Sequence, residues 1–227
     1  MPSVPTLYHG TDARIVNMSK EERNSYLNHC KVVTGFLWSV FKPFMEMEDF
    51  LFKRDGVEGT LKRCKIERYK EAYIENFGKC EWCNFFEKLQ MVGSKEEGSE
   101  SYQYESFYLA TSKERARNYA RRAYAGGEQG LIAYHLIKGF ENLGWNHDVT
   151  PVKSSIDAIK SFANGEAQPV IIPFENLDVD FLQTETGGPL NLNLDYSELQ
   201  ISVRYTKECE ISLQNAEYVR PTSDNRI

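Results

Sequence analysis

The sequence predicts an α+β fold, on three observations. Segments that read as strands stand at the start, middle and end of the chain. A block from about residue 20 to about residue 100 carries apolar residues at helical spacing. A capped amphipathic helix follows the middle strand directly.

Thr6 to Thr11 reads as a short strand stopping at the Gly10 turn. From about Lys20 to about Met91 the apolar residues, among them Val33, Phe36, Leu37, Val40, Phe41 and Phe44, predict two or three helices with breaks near Pro43, Gly56 and Gly59. The polar run Gly93 to Glu100 ends this block, which reads as a helical insertion. Ser106 to Ala110 is strand-like, and Thr111-Ser112-Lys113-Glu114 reads as a capping box, a hydroxyl with a Glu three residues on. The helix it opens places Ala116, Tyr119, Ala120, Ala123 and Tyr124 on one face and ends at Gly126-Gly127. Leu131 to Ile137 is predicted as a strand, and so is Pro169 to Pro173. In the last predicted strand Leu199, Ile201, Val203 and Tyr205 alternate with Glu198, Gln200, Ser202 and Arg204.

The 227 residues suit one domain, 1–227, carrying the insertion. A 41% hydrophobic and 26% charged composition excludes fibrous and disordered classes. The longest apolar stretch, Gly35 to Phe41, falls far short of the roughly 18 residues a membrane span requires, so no membrane association is expected. Met1 to Gly10 shows no secretory pattern, and a cytoplasmic location is expected. The net charge of −6 arises in residues 151–200, with 2 basic and 8 acidic side chains; residues 1–150 balance at 21 and 21. A global electrostatic grip on nucleic acid is not expected, whereas a local basic patch could supply one. Two such stretches occur, Lys113, Arg115, Arg117, Arg121 and Arg122, and Lys62, Arg63, Lys65, Arg68 and Lys70. Each reads either as a solvated helix face or as a phosphate-attracting surface.

Five cysteines form an odd set that argues for reduced thiols. Cys80 and Cys83, with Cys64 and His29-Cys30 upstream, admit a zinc reading, but a second Cys pair or His pair is missing. Two buried thiols on one helical face are the simpler reading, and no metal is expected.

Three separated segments carry unusual residues at strand ends: Leu7-Tyr8-His9-Gly10-Thr11, then Phe107 to Lys113 running into Arg117-Asn118-Tyr119-Ala120, then Leu194 to Ile201 with Glu198. In this order the set resembles the ADP-ribosyltransferase superfamily, in its His-Tyr-Glu branch of diphtheria-toxin-like toxins and poly(ADP-ribose) polymerases. The resemblance implies a split β-sheet core, two small packed sheets, and NAD as substrate. It implies that His9, Tyr108 and Glu198 are catalytic. His9 would bond a hydroxyl of the adenosine ribose, and the Gly10 backbone the nicotinamide amide, with Thr11 in the same NAD-contacting motif. Tyr108 and Tyr119 would stack on the nicotinamide, the Ser112 hydroxyl would bond its carboxamide, and Glu198 would accept from the 2-hydroxyl of the nicotinamide ribose.

Cleavage of the nicotinamide bond passes through an oxocarbenium-like state, which a fixed carboxylate stabilises. Arginine-directed members carry a Glu-x-Glu pair where this chain has Tyr196-Ser197-Glu198, so an arginine acceptor is disfavoured. The expectation is a mono-ADP-ribosyltransferase with a nucleic-acid or protein acceptor, resembling bacterial or phage toxins and defence effectors. Such proteins are often held by an inhibitory partner, an antitoxin or chaperone. An NAD glycohydrolase on the same fold, and a non-catalytic binding module on a degenerate version of it, remain as alternatives.

Overall fold

The computed structural model describes residues 6–63, 85, 88, 89, 92, 107–142, 147–184, 188, 201–207 and 211–220, with backbone alone over 43–63. Helices combine with an antiparallel sheet, an α+β fold. The elements are β1 (Leu7–Asp12), α1 (Ala13–Asn17), α2 (Lys20–Arg63), β2 (Phe107–Ala110), α3 (Lys113–Arg122), α4 (Glu128–Asn142), α5 (Lys153–Asn164), β3 (Pro169–Phe174), β4 (Leu182–Thr184), β5 (Ser202–Tyr205) and β6 (Glu217–Tyr218), with single 3-10 turns at Ala123–Ala125, Thr150–Val152 and Val179–Phe181. No described helix is long and apolar enough to cross a membrane.

The chain divides into two compact units, residues 1–27, 103–131 and 159–227, and residues 28–102 and 132–158. The first holds the sheet, in the order β4-β5-β2-β1-β3-β6. Its ladders are unequal. β1 pairs with β3 along six residues, from Leu7↔Phe174 to Asp12↔Pro169. β2 pairs with β5 along four, Phe107↔Tyr205 to Ala110↔Ser202. Between β1 and β2 the register is a single pair, Tyr8↔Ala110. The six strands thus form one sheet, not the two small packed sheets that the resemblance implies; its halves, β4-β5-β2 and β1-β3-β6, meet at the single pair Tyr8↔Ala110.

Strand alternation sorts the side chains. One face carries Leu7, Leu109, Leu182, Val203 and Tyr205 as a buried cluster, with Phe107, Phe174, Leu177 and Ile201 against it. The other carries Ala110 and Ile171, which pack with Ala116 and Ala120 of α3 and with Val219. Small residues on both sides bring α3 close to the sheet. Gly126, at φ 80 in the left-handed region, ends the turn after α3.

In the second unit the described elements are helical. Cys30, Val33, Leu37 and Phe41 form the buried stripe of this part of α2, and Phe41 meets Phe85 and Phe140 edge-on at 5.1 and 6.2 Å between ring centroids.

Four further expectations are corrected. β1 does not stop at a Gly10 turn: Gly10 pairs with Ile171 within the ladder, which runs on to Asp12. Leu131–Ile137 lies in the helix α4, not in a strand: Ile132, Ala133, Leu136, Ile137 and Phe140 are buried at helical spacing, a pattern that a short apolar run conceals. α2 runs unbroken through Pro43, Gly56 and Gly59, although a proline inside a helix costs about 3 kcal/mol and a glycine about 1 kcal/mol. The reciprocal capping box is not at Thr111/Glu114 but at Ser19/Glu22. There the Glu22 amide donates to Ser19 Oγ at 3.2 Å and the Ser19 amide to Glu22 Oε2 at 2.8 Å. α5, with Ser155, Ile159 and Ala163 buried, was not anticipated.

Candidate functional site

The site grows from the β1–β2 seam. Beyond the pair Tyr8↔Ala110, the His9 side chain bridges the strands: its Nδ1 lies 2.9 Å from the Tyr108 carbonyl. A carbonyl only accepts, so the proton sits on Nδ1 and Nε2 is left as an acceptor. Burial pushes the His9 imidazole below its ordinary value, while the Tyr108 carbonyl pulls the other way. The ring is neutral at pH 7 and stacks, tilted, 4.4 Å from Phe107. Histidine and carbonyl here do what a backbone bond would do in an unbroken sheet.

Gly10 stands next to it, under α3. A Cβ at this position would lie 1.9 Å from the Ala116 carbonyl oxygen and 2.7 Å from the Ala120 nitrogen. The resemblance implies that the Gly10 backbone bonds the nicotinamide amide, a close approach that a side chain would obstruct. The structure gives helix packing as a sufficient cause, which also fixes where α3 presents its polar residues.

Ser112 caps α3, its hydroxyl accepting from the Arg115 amide at 3.2 Å. Its own proton is not used by that bond. Thr111 ties the turn to the entry of β5: the Thr111 amide donates to the Ile201 carbonyl at 3.1 Å, and the Ile201 amide to Thr111 Oγ1 at 3.2 Å. One residue on, the buried Ser202 hydroxyl shares a 2.7 Å hydrogen bond with the Tyr119 hydroxyl and accepts from Arg115 Nε at 3.0 Å. The Arg115 guanidinium stands 5.5 Å from the Tyr119 ring centroid. Tyr119 remains 39% exposed, so its ring is held at one end yet open to a ligand.

Tyr108 is half-buried and lies directly opposite Arg204, so by register it shares the α3 face with Ala110, Ser202 and Arg204. Thr11 is buried opposite Val170, in the body of β1. Asp12, also buried, pairs with Arg14 at 2.8 Å and accepts from the Gln168 amide at 3.1 Å. Arg14 in turn donates to the carbonyls of Phe162 and Tyr124, each at 2.7 Å. This satisfied ion pair locks the corner after the His9 strand.

Glu198 lies outside the described residues, as do Tyr196, Ser197 and Gln200; the first described residue after them is Ile201, bonded to Thr111. Cys64, Cys80, Cys83, Lys65, Arg68 and Lys70 also lie outside, and of Lys62 and Arg63 only the α2 backbone is described. Cys30 is buried and His29 Nδ1 lies 3.0 Å from Ser155 Oγ. The α3 basic run is partly compensated: Lys113 pairs with Glu217, and Arg117 with Glu114 and Glu217. The Lys113 hydrogen bond holds the Glu217 carboxyl below its ordinary value.

Sequence reasoning placed Arg115 in a basic run and Ser202 in the last strand but missed that both meet at Tyr119. The i, i+4 spacing of Arg115 and Tyr119 was visible; that both reach Ser202 depends on β5 pairing with β2.

Compared with known proteins, the chain matches no family model, no curated sequence and no solved structure.

Proposed function

We propose that the protein is an NAD-dependent mono-ADP-ribosyltransferase of the His-Tyr-Glu kind, and that its site lies at the seam of the sheet. The observation that carries this reading is the His9–Tyr108 hydrogen bond at the one-pair junction of two three-stranded halves. It ties the side chain of the first member of the triad to the backbone of the second, across the narrowest ladder of the sheet. Tyr119, anchored to Ser202 on the strand that follows Glu198, supports the same reading.

In this reading the neutral His9 offers Nε2 to an adenosine ribose hydroxyl, and the Tyr108 and Tyr119 rings hold the nicotinamide. Ser112 donates its free proton to the carboxamide. Glu198 fixes the nicotinamide ribose through its 2-hydroxyl. As the bond between the anomeric carbon and the nicotinamide nitrogen breaks, its electron pair leaves with nicotinamide, and positive charge grows on the sugar beside the carboxylate. An acceptor lone pair then bonds the anomeric carbon and the acceptor loses a proton. The biological setting is that of a toxin or defence effector acting in the cytoplasm and restrained by an antitoxin or chaperone, an analogy at the level of fold.

The test is incubation of the whole chain with NAD carrying a labelled adenylate in a cell lysate, with nicotinamide release followed in parallel. Label that becomes macromolecular, with matching nicotinamide release, supports the transferase. Nicotinamide release without macromolecular label identifies a glycohydrolase instead, and no release overturns the enzyme reading.

A further inference from the structure

Arg204 is the residue of the sheet whose chemistry the fold does not use. It sits in the middle of β5, directly opposite Tyr108 on β2 and Gln183 on β4. Its neighbours Val203 and Tyr205 point into the core, so Arg204 projects on the opposite face, the one that Tyr108 and Ser202 share. The side chain is half-buried, and Nε is shut off from water with no hydrogen-bond partner among the described residues. The ion pairs among the described residues do not include it, whereas Lys113 and Arg117 on α3 are both matched to carboxylates. Arginine stays charged under all ordinary conditions, and a buried donor without an acceptor is costly. A cation held this way on a sheet face is complementary to an anion supplied from outside, and its planar fork fits two oxygens of a phosphate.

Strand order says which phosphate. Tyr108 stands between Arg204 on β5 and His9 on β1. By alternation His9, stacked on Phe107, stands on the face of Leu7 and Leu109, opposite the face that Tyr108 shares with Arg204, so an adenosine at His9 and the pyrophosphate behind it lie away from Arg204. Arg204 is then on the far side of the nicotinamide, where the acceptor must approach the anomeric carbon.

We propose that Arg204 binds a backbone phosphate of a nucleic-acid acceptor beside Tyr108. This rests on the transferase reading for its orientation, but the binding itself does not need catalysis.

The experiment uses the full chain and fluorescently labelled DNA and RNA oligonucleotides, with affinity read by anisotropy across a salt series. The variants are Arg204→Gln, Arg204→Lys and Gln183→Glu; the last sets a carboxylate directly opposite Arg204 while leaving the arginine in place. Arg204→Gln should weaken oligonucleotide binding about tenfold and reduce the salt slope by about one. Arg204→Lys should recover part of the loss, and Gln183→Glu should mimic it. In the labelled-NAD assay, transfer to the oligonucleotide should fall about tenfold further than nicotinamide release does. The proposal is overturned if Arg204→Gln and Gln183→Glu both bind as the wild type does, or if label is transferred to protein alone. If Arg204→Gln fails to fold, Gln183→Glu decides. If the wild type releases no nicotinamide, the transferase reading falls while the anisotropy comparison still judges Arg204.

Discussion

His9 Nδ1 donates to the Tyr108 carbonyl at 2.9 Å, one residue beyond the single pair Tyr8↔Ala110 that joins the halves of the sheet. The same imidazole thus closes the seam with one nitrogen and offers an acceptor with the other. The two roles separate by substitution. Asn at position 9 keeps a donor near the Nδ1 position and loses the Nε2 acceptor, while Ala loses both. His9→Asn should melt near the wild type but bind NAD more weakly. His9→Ala should also lose about 1 kcal/mol or more of stability, readable in urea titrations. NAD affinity unchanged from the wild type in both variants would contradict a ligand role for His9.

A methyl group at position 10 is expected to be more damaging than its size suggests. Gly10→Ala would put Cβ 1.9 Å from the Ala116 carbonyl oxygen, backbone against backbone, so α3 must move off β1. A loss of about 1–3 kcal/mol or more follows, with Ser112 and Tyr119 displaced. A Gly10→Ala protein as stable as the wild type would show that α3 does not pack as described.

Tyr119 separates stacking from anchoring. Tyr119→Ala should weaken NAD binding by about 0.5–1.5 kcal/mol, and Tyr108→Ala likewise. Tyr119→Phe keeps the ring and loses the hydrogen bond to Ser202, so its affinity should lie between. Calorimetry showing unchanged affinity in both alanine variants would remove the nicotinamide from this place.

Acid should destabilise the protein through His135. Burial first, and the Lys88 charge second, lower its value from 6.5 to about 4. The folded state therefore holds its proton less tightly than the unfolded chain. The stability this contributes is fully present above 6.5 and is lost as pH falls toward about 4, on the order of 3 kcal/mol as an upper limit. His9 is shifted in the same direction. Urea midpoints of wild type and His135→Asn, compared at neutral pH and near pH 4.5, should show a smaller acid loss in the variant. An identical loss would contradict the burial of His135.

How far the sequence could be read depended on which forces act locally. β1, β2, β3, the end of α3 and β5 were legible because alternation, a hydroxyl cap and the Gly126-Gly127 stop are properties of neighbouring residues. Leu131–Ile137 was not, because a run that is apolar at every position but His135 shows no clear period, and burial of both Ile132–Ala133 and Leu136–Ile137 is a tertiary fact. The site divides the same way. His9, Gly10, Tyr108, Ser112 and Tyr119 could be named from motifs. That Ser202 receives both Tyr119 and Arg115, and that Arg204 faces Tyr108, follows only from the register of β5 against β2.

The most direct test of the central claim is the rate of nicotinamide release from NAD by the wild type and by Glu198→Gln, with NAD affinity measured alongside. Loss of the carboxylate removes charge stabilisation that matters mainly in the transition state. The account predicts release by the wild type and a fall of roughly a hundredfold to a thousandfold or more in the variant, with NAD still bound. A wild type that releases no nicotinamide, or a Glu198→Gln protein that turns over near the wild-type rate, would contradict it.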